Sequence, residues 1–105
     1  MILYNTTFVV DDSVNDEWIT WFKEEHINDY LESKCFLGAR FGQVTSHVEP
    51  GMQTYSVQLF VNDDLTLDQF KNNFLSEIQQ KSLQKFGTKV LSFTSEMDHL
   101  GDFSL

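Results

Sequence analysis

The chain has 105 residues, 41% of them hydrophobic and 22% charged, the make-up of one folded domain large enough to bury a core and unlike that of a disordered chain. Sixteen acidic residues against seven basic ones give a formal charge of −9, which repels phosphate backbones and anionic lipids and so disfavours nucleic-acid and membrane partners. The single cysteine, Cys35, cannot close an internal disulfide, and the start has neither the basic residues nor the apolar run of a signal peptide, so a reducing, cytoplasmic location is expected.

Ile2 to Val10 alternates β-branched and aromatic residues, with Ile2, Tyr4, Thr6, Phe8 and Val10 on one face, which predicts a strand. Asp11 and Asp12 end it. Ser13 and Asp16 form a candidate capping pair, Asp16 and Glu17 suit the positive end of a helix dipole, and a helix to about Glu32 is expected. At about 100° per residue, Ile19, Phe22, His26 and Tyr30 fall on one arc of that helix, with Trp18 and Trp21 along its edge. The acids between Asp11 and Glu32 are opposed only by Lys23. Such a run reads most simply as a solvated face, and otherwise as a surface for a partner that recognises acids.

Phe36 to Val44 and Gln53 to Val61 read as the second and third strands. Glu49, Pro50 and Gly51 between them predict an antiparallel hairpin. Thr66 with Gln69 makes a second capping pair, after which Phe70, Phe74, Ile78 and Phe86, flanked by Leu67, Leu75 and Leu83, give the apolar stripe of a long helix with Phe74 at its middle. Lys81 and Lys85 suit its negative end, and Gly87 is the expected residue just past its last turn. Val90 to Met97 supplies a fourth strand, so residues 1–97 form a single domain and 98–105 a short tail.

The order β-α-β-β-α-β is that of the α+β ferredoxin-like sandwich, whose antiparallel sheet carries both helices on one face. Several strands are apolar on both sides, with Leu3 and Val9 against Ile2 and Phe8, and Leu37 and Phe41 against Phe36 and Val44. An uncovered antiparallel sheet normally shows one polar side, so a second copy is expected to cover this one in a two-fold homodimer.

The opening Ile2, Leu3, Tyr4, Asn5, then Trp18, Trp21 and the Glu25, His26, Ile27 segment carry a resemblance. So do Cys35 and Phe36, Ala39 and Arg40, Tyr55 to Gln58, and Lys85, Phe86, Gly87. Over about residues 1–97 the chain resembles a family of short bacterial proteins classed as a domain of unknown function and similar in layout to the dimeric α+β barrels. That family commonly has proline after its His-Ile pair, where this chain has Asn28. The resemblance implies the fold and the dimer and no particular activity, since relatives at the superfamily level include cofactor-independent monooxygenases, small isomerases and stress-related binding proteins.

His26 is the leading candidate for chemistry. A neutral imidazole on a partly apolar face can act as a general base, with Asp29 or Tyr30 one turn on to orient its other nitrogen. The plainer reading is a structural histidine whose polar atoms are satisfied in the fold. Trp18, Trp21, Phe22 and Tyr30 are candidates to contact a small apolar or aromatic ligand, although aromatic residues at helical spacing also serve a core. Arg40, the only arginine, stands between Gly38 and Gly42, where a planar guanidinium has room to hold a carboxylate or enolate, or else pairs with an acid across a dimer interface. Cys35 reads as an ordinary small apolar residue. The three histidines are scattered, and no zinc, calcium, Walker, dinucleotide or nucleophile-elbow motif occurs, so neither a metal nor a cofactor is expected.

Two functions follow. The first is a homodimeric small-ligand-binding or interaction protein. The second is a cofactor-independent enzyme, of monooxygenase or isomerase type, acting on a small aromatic or carbonyl substrate with His26 as base and Arg40 holding the developing negative charge. The enzyme requires those two side chains to converge on one cavity.

Overall fold

Alternation along the first strand decides the layout. In the structure, a computed structural model that describes residues 1–104, strand β1 (Ile2–Asp11) buries Ile2, Tyr4, Thr6, Phe8 and Val10 on one side and leaves the residues between them half-buried on the other. Strands β2 (Gly38–Val44), β3 (Met52–Val61) and β4 (Val90–Asp98) complete a sheet in the order β2-β3-β1-β4, with every neighbouring pair antiparallel. Two helices pack on one face of it. Helix α1 covers 15–32 and contains a π turn at Phe22–His26; helix α2 covers 64–86 and contains one at Lys71–Leu75. The fold is the α+β ferredoxin-like sandwich that the element order predicts. The expected tail, 98–105, ends on a residue outside those described; the last strand runs one residue past Met97, to Asp98.

An aspartate caps the 3-10 turn Asp12–Val14 that leads into α1, and another caps α2, each upstream of the expected residue. The Asp11 side chain accepts from the Ser13 backbone N–H at 2.9 Å and from the Ser13 hydroxyl at 2.7 Å, so Ser13 is the donor and no Ser13–Asp16 pair forms. Those two bonds hold the Asp11 carboxyl below its ordinary range. Asp63 likewise accepts from the Thr66 N–H at 2.8 Å, which replaces the expected Thr66–Gln69 pair. Gly87 ends α2 at φ +59°, a conformation that favours glycine.

The core has two aromatic centres. Trp18 packs on Phe8, Phe22 and Tyr55 at ring separations of 5.0–5.2 Å. Phe70 sits among Tyr4, Tyr30 and Phe36 at 4.6–6.0 Å. Phe36 precedes β2, which starts at Gly38, and turns into this second centre. It therefore shares the helix side with Phe41, which packs on Phe22, and the expected opposition of those two residues does not hold. On the open side, register aligns Leu3, Phe60 and Met97, and pairs Thr7 with Phe93 and Val9 with Leu91. That face mixes these apolar residues with Asn5, Arg40, Ser56, Gln58 and Ser95, and Phe93 is 62% exposed on it. Among the described residues, no helix is long and apolar enough to cross a membrane.

Candidate binding cavity at His26

His26 owes its position to a change of pitch in α1. Residues four apart on a regular helix drift by about 40° per step, and a π turn takes that drift back. The turn at Phe22–His26 thus lets Trp18, Phe22, His26 and Tyr30, each four residues from the last, all be buried. Trp18, which regular periodicity puts at the edge of the arc, is consequently at its centre, while Ile19 and Trp21 are only partly buried. The Trp21 indole lies over the imidazole at 4.2 Å between ring centres and 22° between planes. Tyr30 meets His26 edge-on at 5.5 Å.

One wall of His26 is open to a cavity of about 230 Å³ between the helices and the β1–β4 half of the sheet. The space exists because small residues stand where a core would carry large ones: Thr6 pairs with Thr94, and Phe8 with Ser92. Thr6, Phe8, His26 and Tyr30 form its buried end. Leu75, Ser82 and Leu83 of α2 and Ser92 and Thr94 of the edge strand β4 form its outer part.

His26 is 1% exposed. Burial is the main cause that lowers its pKa to about 4; Asp29 raises it and Lys81 lowers it, and the ring is neutral at pH 7. Asp29 Oδ2 lies 3.9 Å from Nδ1, beyond hydrogen-bonding distance, and its other oxygen is 3.2 Å from Lys81 Nζ. Among the described residues, His26 Nδ1 and Thr6 Oγ1 are both buried without a hydrogen-bond partner, as is Trp18 Nε1 in the core. Burial also raises the Tyr30 phenol above its ordinary range.

The remaining candidates lie apart. Trp18 and Phe22 are core residues that do not line the cavity, whereas Tyr30 does. Trp21 backs His26 and borders a shallow outer groove with Glu17, Glu24, Glu25 and Lys85. Arg40 is on the open face, its guanidinium 5.6 Å from the centre of the Phe60 ring, in a groove with Leu3, Gln58 and His99. The sheet separates it from His26, so the two do not share a cavity. Thr6, Ser82, Ser92 and Thr94 escaped the sequence reading. The legible signal was Thr6, the one polar residue in the inward series Ile2, Tyr4, Thr6, Phe8, Val10. Among the described residues, no group of three or more histidine, cysteine, aspartate or glutamate side chains is placed to hold a metal.

Residues 1–100 match the family described as a domain of unknown function, DUF4286, and the chain belongs to that family. No curated protein matches the sequence. Among solved structures, HapK from Hahella chejuensis is similar at 10% identity and a TM-score of 0.70, covering 100% of this chain and 98% of that one. An ethyl tert-butyl ether d (ethd) family protein from Bacillus halodurans is similar at 10% identity and a TM-score of 0.68, with 95% and 100% covered. A dimeric ferredoxin-like protein from an uncultured marine organism is similar at 13% identity and a TM-score of 0.69, with 97% and 98% covered. These likenesses show the fold.

Proposed function

We propose that this DUF4286 protein is a homodimer that binds a small ligand in the His26 cavity. The observation that carries the reading is the Thr6 hydroxyl, buried without a partner on the wall of a cavity that His26 also lines. Leaving such a group unsatisfied costs about 1–3 kcal/mol, which a bound partner offsets. The exposed Leu91, Phe93 and Met97 on the open face and the dimeric state in the description of one structural relative support self-association.

The same geometry favours binding over the alternative, a cofactor-independent enzyme of monooxygenase or isomerase type. A histidine with a pKa of about 4 is a weak base near neutral pH, and Arg40 is across the sheet. Isotope-labelled protein titrated with a mixture of single-ring compounds is expected to show changes at Thr6, His26, Ser82 and Ser92, and Ser82→Trp, which fills the cavity, to abolish them. Unchanged resonances at all four positions in a folded protein would refute the reading.

A further inference from the structure

The walls of the cavity restrict what can occupy it, given that it is a binding site as proposed above. Size comes first. Roughly 150 Å³ accommodates a benzene ring, so about 230 Å³ is room for one substituted ring whose outer edge meets solvent beside the exposed Leu83, Leu91 and Ser92.

Charge comes second. Among the described residues, no carboxylate, lysine or arginine lines the cavity, and its one titratable base is a neutral imidazole. An ion at the buried end, beside Thr6 and His26, would lose hydration without gaining a counter-charge, which is more costly than leaving a neutral group unpaired. The formal charge of −9 on the whole chain acts further against anions.

Hydrogen bonding comes third. The Asp29 carboxylate, 3.9 Å from Nδ1 of His26, favours the tautomer that carries its proton there, which leaves Nε2 with a lone pair. A ligand bonded to that nitrogen must donate. The Thr6 hydroxyl, which can donate or accept and is buried without a partner, also lines the buried end. A single ligand hydroxyl meets both needs, because it donates once and accepts as well; a carbonyl or an ether can only accept.

We infer that the cavity takes an uncharged, single-ring compound that presents a hydroxyl to His26 and Thr6, the chemical class of a simple phenol, with the ring against Phe8 and Leu75. The inference rests on the ligand-binding reading and narrows it.

The test compares p-cresol, 4-methylanisole and p-toluate on the wild-type protein and on Thr6→Val, by calorimetry with resonance mapping. Thr6→Val keeps the shape and removes a buried hydroxyl that has no protein partner, so the variant is expected to fold. The expected result is that p-cresol perturbs Thr6, His26 and Phe8, that 4-methylanisole and p-toluate bind at least tenfold more weakly, and that Thr6→Val weakens p-cresol about five- to tenfold while leaving 4-methylanisole unchanged. Equal affinity for p-cresol and 4-methylanisole would overturn the hydroxyl assignment and leave the ligand-binding reading standing. Preference for p-toluate would overturn the charge argument in the same way. If none of the three perturbs the cavity residues of the folded protein and no other single-ring compound does so, both this inference and the binding reading fall.

Discussion

His26 shows how one buried residue couples stability to pH. Its folded-state pKa, about 4, lies below the unfolded value of 6.5, so as pH falls the unfolded chain takes up a proton before the folded one does. The stability due to the neutral ring is complete above pH 6.5 and is lost progressively as pH drops towards 4, by on the order of 3 kcal/mol. Urea melts between pH 7 and 4.5 are expected to show this loss as the difference between wild type and His26→Gln, the variant having the flatter profile. Parallel profiles would mean that His26 is not buried neutral. At pH 7 the same substitution removes no hydrogen bond from Nδ1 but does remove the ring contacts with Trp21, Phe22 and Tyr30, so a cost of about 1 kcal/mol is expected.

At the scale of elements, pitch and capping decide which residues bear load. Phe74 was the expected middle of the α2 stripe, yet it is only partly buried, beside Asp29, Glu32 and Lys81 in a surface hollow between the helices. Phe70, 0% exposed and packed on Tyr4, Tyr30 and Phe36, is the anchor. Denaturant melts are expected to give a loss of about 3–5 kcal/mol for Phe70→Ala and less than half of that for Phe74→Ala. Comparable losses would contradict the packing described. Asp63→Ala removes the cap of α2 and is expected to cost about 1 kcal/mol.

These differences mark what was legible. Strict alternation in β1 was readable because a period of two has no competing interpretation, and the hairpin was readable from Pro50 and Gly51. A π turn leaves no such mark, so Trp18 was displaced from the centre of its arc. The caps were misassigned because Asp11 and Asp63 look like strand and loop ends while competing for the same backbone donors. His26 was legible as an imidazole in an aromatic stripe. Its cavity was not, since Thr6, Ser82, Ser92 and Thr94 come from three separate elements and meet only through sheet register and helix placement.

For the whole molecule, the two faces of the sheet divide the work: one carries the core and the cavity, and the other exposes apolar residues such as Leu91, Phe93 and Met97 among polar ones. Light scattering at micromolar concentration is expected to give twice the 12.2 kDa chain mass. Phe93→Glu, which places a charge on the open face, is expected to shift the protein towards monomer without unfolding it. A wild-type monomer would contradict the proposed dimer while leaving the cavity intact.

The central claim, that a ligand meets a neutral His26 inside the fold, is tested most directly by following the His26 ring resonances from pH 3.5 to 8 with and without p-cresol. A ligand that prefers the neutral imidazole must lower its apparent pKa. The predicted result is a midpoint near 4 for the free protein that moves lower when p-cresol is added. A midpoint near 6.5 that p-cresol leaves unmoved would contradict the account.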